Sequence, residues 1–262
     1  MFRHVRSFYR NLRSLSCRTW FLALLGITHG VHADDAQWRD TEARIQYGYY
    51  TQDTRALTNL AGAIAAEEGK DRWQGYYAGL VNWRLAQLAA LHPGGKDSNI
   101  AQLTEHCTNA LDRTLEMQPD FADALAVRAM CGARALAGGG LHVPFTGRGP
   151  RKDLDRALAL APKNPRVMLA DALADYEFSA VLDGSKERAL PKLRRAVAAF
   201  ETERGGTEAL PGWGASEAYY YLGRDLLEHG DPVGARDALE HALLLAPEYA
   251  QARQLMAKIT AG

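Results

Sequence analysis

The chain has 262 residues, 47% of them hydrophobic, with 31 basic against 31 acidic side chains. That hydrophobic share excludes a disordered chain and suffices for one large domain or two small ones. Residues 1–33 hold Arg3, Arg6, Arg10, Arg13 and Arg18 and no acid, so the remainder carries five more acids than bases, a poor balance for sequence-independent binding of phosphates.

In chain order, the first segment reads as a leader. A basic stretch from Arg3 to Arg18 precedes the apolar run Trp20 to Ile27, and Val31-His32-Ala33 places small residues before Asp34. Basic, apolar and small-x-small is the order of a secretory signal, with cleavage expected after Ala33. The apolar run, even stretched to Val31, is about a dozen residues, too short for the roughly 20 that a membrane-spanning helix needs. The reading is therefore an exported protein, periplasmic or secreted, with no stable membrane span after cleavage.

The rest reads as helix throughout. Ala, Leu, Arg and Glu abound while Val and Ile are sparse, and unbranched side chains lose little rotamer freedom in a helix. The first pair of helices is expected over 36–68. In its second helix Leu57, Leu60, Ala61, Ile64 and Ala65 follow the i, i+3, i+4, i+7, i+8 rule of one buried face. Further pairs are expected over 72–117, 121–161, 165–203 and 216–247, with a closing helix over 250–260. A nine-residue frame, Leu-x-x-x-Leu-x-x-x-Pro, occurs at Leu111 to Pro119, Leu154 to Pro162 and Leu239 to Pro247. Each proline ends a helix, because it lacks an amide donor and disfavours helix in the residue before it.

Residues 216–247 carry the fullest pattern: Tyr219, Leu222, Gly223 and Leu226, a turn at Gly230-Asp231-Pro232, then Ala235, Leu239, Ala242 and Pro247. At this spacing they closely resemble the tetratricopeptide repeat. The resemblance is close over 216–260, moderate over 100–165 and weak over 36–91, where the closing proline is missing. It implies an all-α fold, a right-handed α-solenoid of about five helix-turn-helix pairs plus the closing helix, in which stacking supplies the core. It also implies that the first helix of each pair lines a concave groove. The inward positions are then Glu217, Tyr220 and Arg224 in the last pair, Arg166, Leu169, Leu173 and Tyr176 in the fourth, and Asp123, Ala126 and Met130 in the third.

Cys107 and Cys131 remain after cleavage, in a compartment where disulfides persist. They lie twelve residues either side of Pro119, at one height of a helical hairpin, so a bridge is one expectation. The other is that Cys107 simply fills the small-residue position that Ala235 holds in the last pair.

Three connections are longer than a plain turn: 92–98, 138–150 and 183–185. All join first helix to second and should emerge along one edge, where insertions often mark a binding face. The longest carries His142, Phe145 and Arg148, and its apolar residues need cover. Gly205 to Ala215, with Pro211 and Trp213, joins pairs instead and is expected on the opposite edge. His92 and His142 near Asp97 and Asp183 make only a weak metal site, and exposed loop histidines are the simpler account.

No His-Glu-x-x-His, Cys-x-x-Cys, Gly-x-Ser-x-Gly or dinucleotide glycine motif occurs. The sequence thus points to a non-catalytic scaffold that needs no cofactor or metal and holds a protein or peptide in the groove. The alternative is a small-molecule-binding module accessory to solute uptake, with a pocket under the 138–150 loop.

Overall fold

The computed structural model describes residues 29–67, 71–91, 99–137, 149–178, 183–203 and 210–261, with side chains over 36–260. Residues 1–28 of the expected leader and the 92–98 and 138–148 connections, including His92, Asp97, His142, Phe145 and Arg148, lie outside the described residues, while the leader's last residues, 29–33, are helical. The chain divides into two units, Met1–Gln37 and Trp38–Gly262; everything below concerns the second.

The described residues form eleven helices and no strand, so the all-α expectation holds. They are α1 (His29–Tyr50), α2 (Thr54–Ala66), α3 (Arg72–Leu91), α4 (Ile100–Met117), α5 (Ala122–Ala137), α6 (Pro150–Leu160), α7 (Pro165–Tyr176), α8 (Lys186–Glu203), α9 (Ala215–Glu228), α10 (Pro232–Leu245) and α11 (Ala250–Ala261).

Local sequence sets the boundaries. Asp53, Asn99, Asn164 and Asp231 each accept a backbone N–H in the first turn of the helix that follows, satisfying donors that a helix start leaves unpaired. Pro150, Pro165 and Pro232 occupy first turns, where a missing N–H costs nothing. The three Leu-x-x-x-Leu-x-x-x-Pro frames close with one geometry. Gln118, Ala161 and Ala246, each just before the proline, take φ/ψ of −136/87°, −141/67° and −140/85°. Proline drives its predecessor out of the helical region, and the repeated frame therefore makes a repeated turn.

Each of α3, α5, α7 and α9 packs along the helix that follows it, and also against the helix before or after that pair. Within three hairpins a glycine on the first helix meets a leucine on the second. A Cβ on Gly79 would lie 2.5 Å from Leu111 Cγ, one on Gly223 2.9 Å from Leu239 Cγ, and one on Gly48 2.9 Å from a Leu57 methyl. The close approach expected at Gly223 is thus made, and it recurs in hairpins whose sequence pattern is weaker.

Burial divides the helices into two sets. Nearly every residue of α5, and of the middle of α3, is buried, whereas α4 buries only one face, including Cys107, Leu111 and Leu115. The second helices are amphipathic, and of the first helices α3, α5, α7 and α9 are enclosed over most of their length, whereas α1 keeps an exposed face. Across this boundary Cys107 and Cys131 form a disulfide, with α-carbons 6.3 Å apart, inside the usual range of about 4.4–6.8 Å. The bridge joins α4 to α5, and so ties one hairpin to the next.

Candidate functional site

The enclosed helices converge on one charged centre. Arg84, on α3, is 1% exposed. It sits in the run Leu80-Val-Asn-Trp-Arg-Leu, whose members are all buried. A guanidinium removed from water needs partners, and Arg84 gathers them from four places. It forms an ion pair with Glu217 of α9 and donates to Gln87 Oε1 at 3.0 Å and Gln46 Oε1 at 3.1 Å. Its carbon Cζ lies 4.3 Å from the Tyr49 ring centre and 4.9 Å from that of Trp213, at cation–π distance from both. Burial opposes its charge, but Glu217 and the surrounding phenols outweigh this and raise its affinity for the proton. Glu217 in turn accepts from the Tyr50 hydroxyl at 2.8 Å. Burial and the neighbouring Glu217 push that phenol well above its ordinary range, so Tyr50 stays a donor.

A second arginine stands beside the first. Arg166, of α7, donates to Asp123 of α5 at 3.0 Å, to Glu203 of α8 at 2.9 Å and to the Trp213 carbonyl at 3.2 Å. Asn164, which caps α7, also donates to Asp123. Burial pushes the Asp123 carboxyl up, although Arg166 opposes the shift.

The segment 210–214 completes the centre. Its indole N–H, on Trp213, donates to the Tyr76 hydroxyl at 2.7 Å, and Gly212 N donates to Glu42 Oε1 at 2.8 Å. Gly214 has φ of +115°, and a side chain there would meet Phe200 at 2.6 Å. This backbone turn suits glycine alone, and it delivers Trp213, 9% exposed, to the interior. The expected position of Trp213 on an outer edge is therefore corrected. The segment does join two hairpins, but an indole needs burial and a partner for its N–H, and both are found inside.

Between these groups lies a small, partly open cleft. Trp83, Arg84 and Gln87 of α3 form one wall, Ala126, Val127 and Met130 of α5 the next, Arg166, Leu169, Ala170 and Leu173 of α7 the third, and Trp213, Glu217 and Tyr221 the last. Most of this lining is apolar, with a few polar groups, which is the usual make-up of a small-ligand site.

Of the residues singled out from sequence, Arg166, Leu169, Leu173, Ala126, Met130 and Glu217 line the cleft. Asp123 stands behind it, holding Arg166. Tyr220 packs on Tyr221 and Tyr249, and Tyr176 donates to Glu228. Arg224 is half-exposed, near Glu177 and over the Tyr176 ring. All but Arg224 are buried. They form the inside of a filled structure instead of the floor of an open groove, because α1 and segment 210–214 close over them. Trp83, Arg84, Gln87, Trp213 and Tyr221 were not singled out. One signal was present for two of them: Arg84 and Gln87 interrupt a helix that is apolar on every side, where a charge must have a partner.

Among the described residues no group of three or more His, Cys, Asp or Glu side chains is arranged to hold a metal, and no helix is long and apolar enough to cross a membrane.

Neither a family model nor a curated protein matches the chain. Among solved structures it is similar to the HusA haemophore from Porphyromonas gingivalis, with a TM-score of 0.52 and 21% identity, over 74% of this chain and 93% of that one. At that identity the likeness concerns the fold alone.

Proposed function

We propose that this chain is an exported, tetratricopeptide-like helical protein that binds a small, largely apolar molecule in the central cleft, without catalysis. The observation that carries this reading is the cleft itself, where four helices and Trp213 bring two tryptophans and an aliphatic wall around the Arg84–Glu217 pair. Export is supported by the order of residues 1–33 and by the Cys107–Cys131 disulfide, since such bonds persist in oxidising compartments. The solenoid reading is supported by the three proline-terminated turns and the glycine–leucine contacts.

A protein of similar fold is named a haemophore, so haem is the first molecule to weigh. The walls are apolar, but the cleft is far smaller than such a body. The donors suit iron poorly too: among the described residues no histidine lines the cleft, and burial pushes the Tyr221 phenol far above its ordinary range, away from the phenolate that ligates iron. Met130 offers only a thioether. A tightly ligated haem does not fit these residues, and a smaller molecule held by packing does.

The scaffold reading ranks second. A peptide in a groove needs Glu217, Tyr220, Arg166 and Met130 at the surface, and they are 1%, 8%, 4% and 3% exposed.

Native mass spectrometry tests the proposal on mature protein taken from the cells that make it. The expected result is a bound small molecule, released on unfolding and lost in Trp213→Ala protein that keeps its helical circular dichroism. Wild-type protein that carries nothing, and that takes up no apolar probe, would overturn it.

A further inference from the structure

The cleft holds one polar group that its surroundings do not satisfy. Arg84 Nε is buried and has no hydrogen-bond partner among the described residues, while the same side chain lines the cleft. Its two terminal nitrogens are committed to Gln87, Gln46 and Glu217, and its two faces to Tyr49 and Trp213. The guanidinium is thus fixed in position with three of its five N–H groups in use, and Nε is the one nitrogen that donates to nothing around it. A buried donor without an acceptor carries a desolvation penalty that a correctly placed oxygen would remove.

Charge decides which oxygen. The positive charge of Arg84 is already matched by Glu217, and that of Arg166 faces both Asp123 and Glu203. A ligand carboxylate at Arg84 Nε would lie beside Glu217 with no unmatched cation to receive it, and would lose its water as well. A neutral carbonyl accepts the same hydrogen bond without either penalty. Resting on the small-molecule reading above, we propose that the cleft selects a neutral, apolar molecule bearing a carbonyl oxygen, which accepts from Arg84 Nε while its body packs against Trp83, Trp213 and Leu169.

Three probes of one shape test this by equilibrium dialysis against the mature protein: acetophenone, ethylbenzene and benzoate. The ketone is expected to bind about tenfold tighter than the ethyl compound, the size of a hydrogen bond from a charged donor, and tighter than the carboxylate. Arg84→Lys, which keeps the charge facing Glu217 but removes the Nε–H, should erase the gap between ketone and ethyl compound while the ethyl compound still binds. Ala126→Phe, which fills the cleft, should abolish binding of all three. Equal affinity for ketone and ethyl compound would mean that water satisfies Arg84, and would overturn the carbonyl assignment while leaving the cleft as a binding site. Benzoate binding tightest would overturn it too, as would a gap that persists in folded Arg84→Lys protein. No saturable binding of any probe, or binding unchanged by Ala126→Phe, would overturn both this inference and the small-molecule reading.

Discussion

The enclosed and exposed faces of the hairpins use charge in opposite ways. On the second helices, ion pairs such as Arg236–Glu240 and Arg151–Asp155 lie at i, i+4 with both side chains half-exposed or more, where water screens them and their net worth is small. On the first helices, Arg84–Glu217 and Arg166–Asp123 are buried and join positions far apart in sequence. The outer pairs are decoration on helices that would form without them. The inner pairs define which helices face each other, because an unmatched buried charge is far more costly than a missing surface contact. Residue type alone does not separate the two cases; the surroundings do.

The comparison predicts a ranked series of effects. Glu217→Ala leaves Arg84 charged and buried, and should lower unfolding free energy by about 3–5 kcal/mol in chemical denaturation; a loss under about 1 kcal/mol would mean that water reaches the centre. Replacing both Cys107 and Cys131 by Ala should cost about 3 kcal/mol, the value for closing a loop of this order in the unfolded chain, with the same loss on adding reductant to the wild type. Gly223→Val forces a branched side chain onto Leu239 and the Ala235 carbonyl, and should cost about 1–3 kcal/mol by overpacking; a Leu239→Ala partner change should recover part of it.

Asp175 gives a smaller effect that is read against pH. Burial pushes its carboxyl up, but bonds from Lys192, Arg188 and Ser185 N outweigh this and hold it below its usual value of 3.8. A lowered acid contributes stability that is present above the unfolded value and lost as pH falls through the folded one. The stability gap between wild type and Asp175→Asn should therefore be full at neutral pH and close below about pH 3.8; a gap independent of pH would assign the effect to packing. At the bottom of the series, Arg236→Ala on the outer face should leave the denaturation midpoint unchanged.

Much of the fold was legible because its determinants are local. Capping residues, first-turn prolines and the Leu-x-x-x-Leu-x-x-x-Pro frame each act within a few residues, so the helix boundaries of α4, α6 and α10 follow from their own segments. The Cys107–Cys131 pairing was half legible: equal distance from Pro119 brought the two to one height, but only the fold shows that they face each other. The candidate site was legible in part. Met130, Leu169, Leu173, Arg166 and Glu217 came from the repeat resemblance, which orders residues along a helix. The closure over them did not, since it rests on Tyr50 meeting Glu217 and Glu42 meeting Gly212 across 167 and 170 residues. A repeat pattern describes neighbours, and these partners are not neighbours. Trp213 was misplaced for the same reason, because its connection joins two hairpins and nothing nearby in sequence shows which way it turns.

That long-range pairing bears on how the protein is made. Arg84 leaves the ribosome well before its partner: 133 residues of chain must follow before Glu217 exists to receive it. Until then the interior cannot shut, and the early hairpins have a cation that water holds more comfortably than protein does. The last third of the chain thus supplies the counter-charge that lets the first third close.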